Sequence, residues 1–131
     1  MTRAQMTQPI DTAGAPELTV VVPSYNERDN VPELARRLDH VLAGIAWEMI
    51  VVDDDSPDGT AAVVKEISRR DPRVRCIRRV GRRGLAGACI EGMLASSAPV
   101  VAVMDGDLQH DETILPAMLD HIRAGRDLVV A

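Results

Sequence analysis

Five short apolar runs rich in β-branched residues punctuate the chain: LTVVV (18–22), EMIVV (48–52), VRCI (74–77), VVAVM (100–104) and DLVVA (127–131). Between them the apolar positions fall at helical spacing. In VPELARRLDHVLAGI, Val31, Leu34, Leu38, Val41 and Leu42 share one face, with Asn30 placed to cap the helix and Pro32 in its first turn. Segments 60–70, 84–97 and 111–125 repeat the pattern, and Pro116 inside the last predicts a helix that begins near it. Strands that are apolar almost throughout, alternating with helices, predict an α/β fold whose mostly parallel sheet is covered on both faces. Each crossover is then right-handed. Residues 1–16 show no apolar period and hold two prolines and a glycine, which predicts a disordered tail ahead of a domain over 17–131.

Composition narrows the picture. A chain of 131 residues suits one domain, long enough to bury roughly two-thirds of the surface its unfolded form exposes. A net charge of −5 argues against nucleic acid as a partner, because phosphate binding wants a basic surface. Cys76 and Cys89 form no CxxC pair and have no histidine placed to complete a metal site, so both read as core thiols of a reduced, cytoplasmic protein. No apolar run approaches the roughly 20 residues of a membrane span.

The unusual polar stretches all follow strands: PSYNERD after the first, DDDSPDGT after the second and DGDLQHDE after the fourth. In an open α/β sheet, ligands bind beyond the carboxyl ends of strands, where the strand order reverses. A sheet ordered 3-2-1-4 brings these three loops to one crevice. Asp105 and Asp107 flank Gly106, a spacing that in extended chain puts both carboxylates on one face, and Gln109 adds a neutral oxygen. Two carboxylates about 4 Å apart repel by about 4 kcal/mol at an effective dielectric near 20, and a bound cation relieves this. Hard oxygen donors suit Mg²⁺ or Mn²⁺, and a site with two or three protein ligands leaves positions for phosphate oxygens.

Tyr25, the only tyrosine, can pack on a base or ribose, while Glu27 accepts from hydroxyls. RRVGRRGLAGA places Arg78, Arg79, Arg82 and Arg83 before a glycine-rich helix start, a candidate phosphate cradle. Glycines 81, 84 and 87 do not make GxGxxG, which counts against a Rossmann dinucleotide site. A phosphoacceptor receiver domain fits poorly, since its paired acids follow the first strand rather than the second and fourth.

Four blocks together, VVVPSYNERDNVPEL, IVVDDDSPDGT, RRGLAGACIEGM and VAVMDGDLQHDE, resemble inverting family 2 glycosyltransferases of the GT-A fold. The resemblance is nearest to the dolichol-phosphate mannose synthase and polyprenyl-phosphate glycosyltransferase branch, and it covers most of residues 18–113. That branch more often has Ala where Gly106 stands and Pro where Asp111 stands. The resemblance implies a Rossmann-like, nucleotide-sugar-binding half with sheet order 3-2-1-4 plus a truncated fifth strand. It implies that Pro23, Tyr25 and Glu27 line the nucleotide, with Val52 and Asp54 closing on the base. Asp105, Asp107 and Gln109 would hold Mg²⁺ or Mn²⁺ against the diphosphate beside the Gly106 backbone, with Asp107 the catalytic carboxylate.

The implied reaction transfers a hexose, mannose or glucose, from a GDP-mannose or UDP-glucose type donor to a polyprenyl or dolichyl phosphate, with inversion. Peripheral association with the cytoplasmic face of a membrane goes with that acceptor. The acceptor-binding half is expected to be absent, DLVVA being read as a strand cut short. An inactive, truncated module that keeps nucleotide-sugar affinity is the alternative expectation.

Overall fold

The computed structural model describes residues 14–131, so the sequence-predicted tail lies mostly outside the described residues; within it, 14–16 carry no helix or strand. Four strands, β1 (Leu18–Ser24), β2 (Trp47–Asp53), β3 (Val74–Arg78) and β4 (Val100–Val103), form one sheet. All pairings are parallel and the order is β3-β2-β1-β4, as the resemblance implies. Helices α1 (Asn30–Val41), α2 (Thr60–Arg70) and α3 (Leu85–Ala95) make the crossovers. After β4 a 3₁₀ turn (Glu112–Ile114) leads into α4 (Leu115–Arg123), which carries Pro116 in its first turn, where a missing N–H costs nothing.

The two faces of the sheet have separate cores. Leu18, Val20, Val22, Met49 and Val51 pack against Val31, Leu34 and Leu38 of α1, with Leu42, Val64 and Leu115. Val21, Ile50 and Val52 alternate to the other face, beneath Ala88 of α3. This helix approaches closely because Gly92 has no side chain: a Cβ there would overlap Val21 Cγ1 and sit 3.1 Å from Val52 Cγ2.

At the end of the sheet away from the polar loops, a buried network pins the last turn of α3. Thr19 Oγ1 donates to Glu48 Oε1 (2.8 Å), and Ser96 Oγ donates to Thr19 Oγ1 (2.6 Å). The Ser97 N–H and the Arg75 guanidinium also reach Glu48 Oε1, at 3.3 and 3.2 Å. Burial pushes the Glu48 carboxyl up, but the bonds from Thr19, Arg75 and Ser97 outweigh it and hold the group below its ordinary 4.5. A carboxylate with a lowered folded pKa contributes stability that is present above the unfolded value and lost as pH falls through the folded one. Denaturant unfolding across pH 3–7 is therefore expected to show a stability loss below about pH 4.5 that flattens in Glu48→Gln. An unchanged acid slope in that variant would remove Glu48 from the account.

Two expectations need correction. Residues 127–131 form no strand, so β4 has no outer partner among the described residues. Leu128 and Val130 stand 79% and 82% exposed, without the cover on both faces that an apolar strand of this sheet needs. Asn30 is the first residue of α1 rather than its cap; Asp29 precedes the helix without a side-chain cap, and Asn30 Nδ2 donates instead to Glu27 Oε2 (2.6 Å). Both cysteines are free, and burial pushes the Cys76 thiol up to about 11, as expected of a packing residue. Among the described residues no helix is long and apolar enough to cross a membrane.

Candidate functional site

Parallel pairing puts Ser24, Asp53 and Arg78 in one row across β1, β2 and β3. Past β4, the Met104 N–H still donates to Val21 O (3.1 Å), so the DGDLQH loop leaves the sheet beside the end of β1. The three polar loops thus emerge at one edge of the sheet, around the β1–β4 switch point.

The acidic run after β2 divides into separate tasks. Asp53 is fully buried and accepts from the Ser56 N–H (3.1 Å) and from Ser56 Oγ, closing the turn. Asp55, at φ +57°, takes the Arg78 guanidinium at 2.5 Å. Asp58 accepts from Thr60 Oγ1 and the Thr60 N–H, and Gly59 at φ +88° turns the chain into α2. The Thr60 hydroxyl, chiefly, holds the Asp58 carboxyl below its ordinary value. The same loop grips PSYNERD: the N–H groups of Asn26, Glu27 and Arg28 donate to Ser56 Oγ (2.9 Å), Thr60 Oγ1 (3.2 Å) and Asp58 Oδ2 (3.3 Å). Repulsion within the run is relieved by partners, one carboxylate at a time.

Asp54 faces sideways. Its Oδ2 accepts from the Gly84 N–H at 2.9 Å, and its Oδ1 lies 3.3 Å from Arg79 Nε. Val52 is fully buried under α3, so any contact it makes with a ligand comes from its main chain. Pro23 is half-buried and Tyr25 is 46% exposed, with the Arg83 guanidinium 5.0 Å above its ring.

The DGDLQH loop docks on β1 through Gly106. A Cβ there would meet Ser24 Oγ and Val22 Cγ1 at 3.2 Å and Glu27 Cγ at 3.3 Å, so the loop sits close against β1 and even an alanine would require its neighbours to give by a few tenths of an ångström. That contact brings Asp105 and Asp107 next to Glu27. Leu108 adopts φ +64°, unfavourable for a bulky residue, and its side chain packs on the main core. The turn it makes lets the Gln109 N–H donate to Asp107 Oδ1 (3.1 Å). His110 leans over Asp105: its Nδ1 accepts from the Asp105 N–H at 3.2 Å and its Nε2 is 3.4 Å from Asp105 Oδ2.

Asp105 and Asp107 carry exposed or half-exposed carboxylates and Gln109 an exposed amide, hard oxygen donors of the kind that suits Mg²⁺ or Mn²⁺. No third acidic, histidine or cysteine ligand completes a closed cage among the described residues.

The arginine loop differs from the cradle read in the sequence. Arg78 is taken by Asp55, Arg79 by Asp54 and Arg82 by Glu91 (2.7 Å); Arg83 alone is without a carboxylate partner among the described residues. Arg79 was indistinguishable from its neighbours in sequence, yet its side chain is only 4% exposed. Its one signal was position, immediately after a strand.

Comparison with known proteins agrees with this fold. The model of the family described as Glycosyl transferase family 2 matches residues 19–131. A dolichol-phosphate mannosyltransferase of Pyrococcus furiosus is 42% identical over 114 residues, covering 87% of this chain and 32% of that protein. A polyprenol monophosphomannose synthase of Mycolicibacterium smegmatis is 37% identical, covering 85% and 43%. The chain therefore spans less than half the length of these curated relatives. Among solved structures, a mannosyltransferase of Pyrobaculum calidifontis in complex with GDP-mannose and Mn²⁺ superposes with a TM-score of 0.62 at 28% identity, over 71% of this chain and 28% of that one. Mannosyl-3-phosphoglycerate synthase of Rubrobacter xylanophilus, at 20% identity and a TM-score of 0.67 over 84% of this chain and 37% of that one, shares the fold.

Proposed function

Because the chain belongs to glycosyl transferase family 2, we propose that it is the donor-binding part of a hexosyltransferase. It takes a nucleoside diphosphate sugar, with mannose or glucose as the sugar, and passes the hexose to a polyprenyl phosphate. The observation that carries this reading is the seating of Gly106 against Ser24 and Glu27, which brings the DGD segment up to the PSYNE loop.

In this reading Pro23 and Tyr25 flank the nucleotide and Asp54 accepts from the base. Asp105, Asp107 and Gln109 would hold a divalent cation, which when bound acts as a Lewis acid offsetting charge on the departing diphosphate. Glu27, kept in place by Asn30, accepts from hydroxyls of the donor. An acceptor phosphate oxygen is already anionic and needs little general-base help. It forms the new bond to the anomeric carbon from the face opposite the nucleoside diphosphate, whose oxygen–carbon bond breaks, so the configuration inverts. An acceptor of this kind also favours work at a membrane surface.

Calorimetry with GDP and UDP, with and without Mn²⁺, paired with a turnover assay on a short polyprenyl phosphate, tests the proposal. Mn²⁺-dependent binding of one diphosphate with hexose transfer supports it in full. Binding without turnover reduces the chain to a nucleotide-sugar-binding module, and no Mn²⁺-dependent binding overturns both.

A further inference from the structure

Arg79 is buried, charged and not accounted for by the donor site as described so far. Its guanidinium donates to Gly84 O (NH1, 3.3 Å), and its main-chain N–H donates to Asp53 O (2.7 Å). Its Nε lies 3.3 Å from Asp54 Oδ1 and 3.7 Å from Glu91 Oε2. Yet Nε and Asp54 Oδ1 are both buried without a hydrogen-bond partner, because the two charges meet out of line. Arginine is almost never this buried unless paired, and an unsatisfied buried polar atom in a native fold calls for a reason.

The surroundings show that the position is built. Gly87 makes room for the guanidinium: a Cβ there would stand 3.1 Å from both terminal nitrogens of Arg79. Gly84 binds both partners, its carbonyl taking Arg79 and its N–H giving to Asp54 Oδ2. Asp54 is thus held from two sides in one orientation just past the end of β2; Oδ1 is sealed against Arg79, while Oδ2 makes one bond to Gly84 and keeps a further lone pair to offer. The Asp54 side chain is only 13% exposed, and a ligand base on Oδ2 would complete the desolvation of the carboxylate, which is unfavourable unless an opposite charge is already in place. Arg79 is that charge.

We propose that Arg79 is a positioning residue for nucleobase selection: it orients Asp54 and offsets its charge, so that Asp54 accepts N–H groups of one base in preference to another. This rests on the reading of Asp54 as the base acceptor.

The test measures dissociation constants of GDP, UDP and pyrophosphate, all with Mn²⁺, for the 131-residue chain and four variants. In the unmutated chain one nucleoside diphosphate binds more tightly. Arg79→Met is expected to weaken that one roughly 10- to 100-fold, by analogy with the loss when the partner that orients a metal ligand is removed. Pyrophosphate, which in this reading would meet the DGD loop and no base-reading group, should stay within a factor of about two. Arg79→Lys keeps the charge without the planar fork and should restore part of the preference. Gly87→Ala displaces the guanidinium without deleting it and should show a smaller loss of the same kind, which keeps the proposal decidable if Arg79→Met does not fold.

Asp54→Asn separates the two layers. If it loses the preference while Arg79→Met and Gly87→Ala keep it, Asp54 reads the base and the role given to Arg79 is wrong. If Asp54→Asn keeps the preference, or the unmutated chain has none, the base reading fails and this proposal falls with it. A parallel loss of pyrophosphate affinity in the Arg79 variants would make Arg79 a structural residue only.

Discussion

Asp107→Ala is expected to abolish Mn²⁺-dependent binding of the nucleoside diphosphate. Losing even a group that merely orients a metal ligand costs 10- to 100-fold in affinity, so removing a charged ligand should cost about 100-fold or more. Asp107 carries two duties that the substitution removes together. It supplies one of two carboxylates to a hard cation, and its Oδ1 accepts from the Gln109 N–H, which keeps the turn closed at the strained Leu108. Asp107→Asn separates them, since an amide oxygen can still accept from Gln109 but brings no charge. Titration of GDP and UDP at fixed Mn²⁺ should therefore place the asparagine variant near the alanine variant. An asparagine variant that binds like the unmutated chain would assign Asp107 to the turn alone. Near-normal Mn²⁺-dependent affinity in the alanine variant would remove it from the metal site.

Gly92→Val should be the most damaging single change to stability, about 3 kcal/mol, at the upper end of what over-packing costs. Two effects compete. Replacing a helical glycine regains up to about 1 kcal/mol of backbone entropy, less for a β-branched residue than for alanine. Against this, the added Cβ overlaps Val21 Cγ1, and Val21 is fully buried at the centre of the sheet and cannot move aside. Helix α3 must lift instead, opening the smaller core of Val21, Ile50, Val52 and Ala88. With total stability of order 5–15 kcal/mol for a domain, this is a large fraction, and thermal unfolding with denaturant titration would measure it. A melting temperature at or above that of the unmutated chain would show that the helix is not held to the sheet at this point.

Alternation of apolar runs with helical periods was enough to foresee β1 to β4, their parallel pairing and the four helices, because burying an almost wholly apolar strand requires cover on both faces. The start of α4 near Pro116 was readable for an equally local reason, the missing N–H of proline. Local signals misled where they were not backed by burial. DLVVA has the composition of a strand, but composition cannot say whether a neighbour exists to hide Leu128 and Val130. Asn30 has the chemistry of a cap, but the loop between β1 and α1 is set by Ser56, Asp58 and Thr60, which hold its N–H groups and move the helix start by a residue.

The site divides along the same line. Clusters of Asp, Gly and Gln at strand ends are visible as text, and the parallel order that follows from the pattern already brings them to one edge. Which carboxylate is committed to what is invisible there, because DDDSPD and RRVGRR are runs of like residues with identical intrinsic chemistry. Only their register across β2 and β3 sends Asp53 into its own turn, Asp55 to Arg78 and Asp54 to a buried Arg79. The residue pattern alone dictates strands, helices and their order, since these follow from local period and the need to bury apolar surface. Partners are decided in three dimensions, since a charge or hydrogen-bonding group is assigned by whichever opposite lies within about 3 Å of it once the chain has folded.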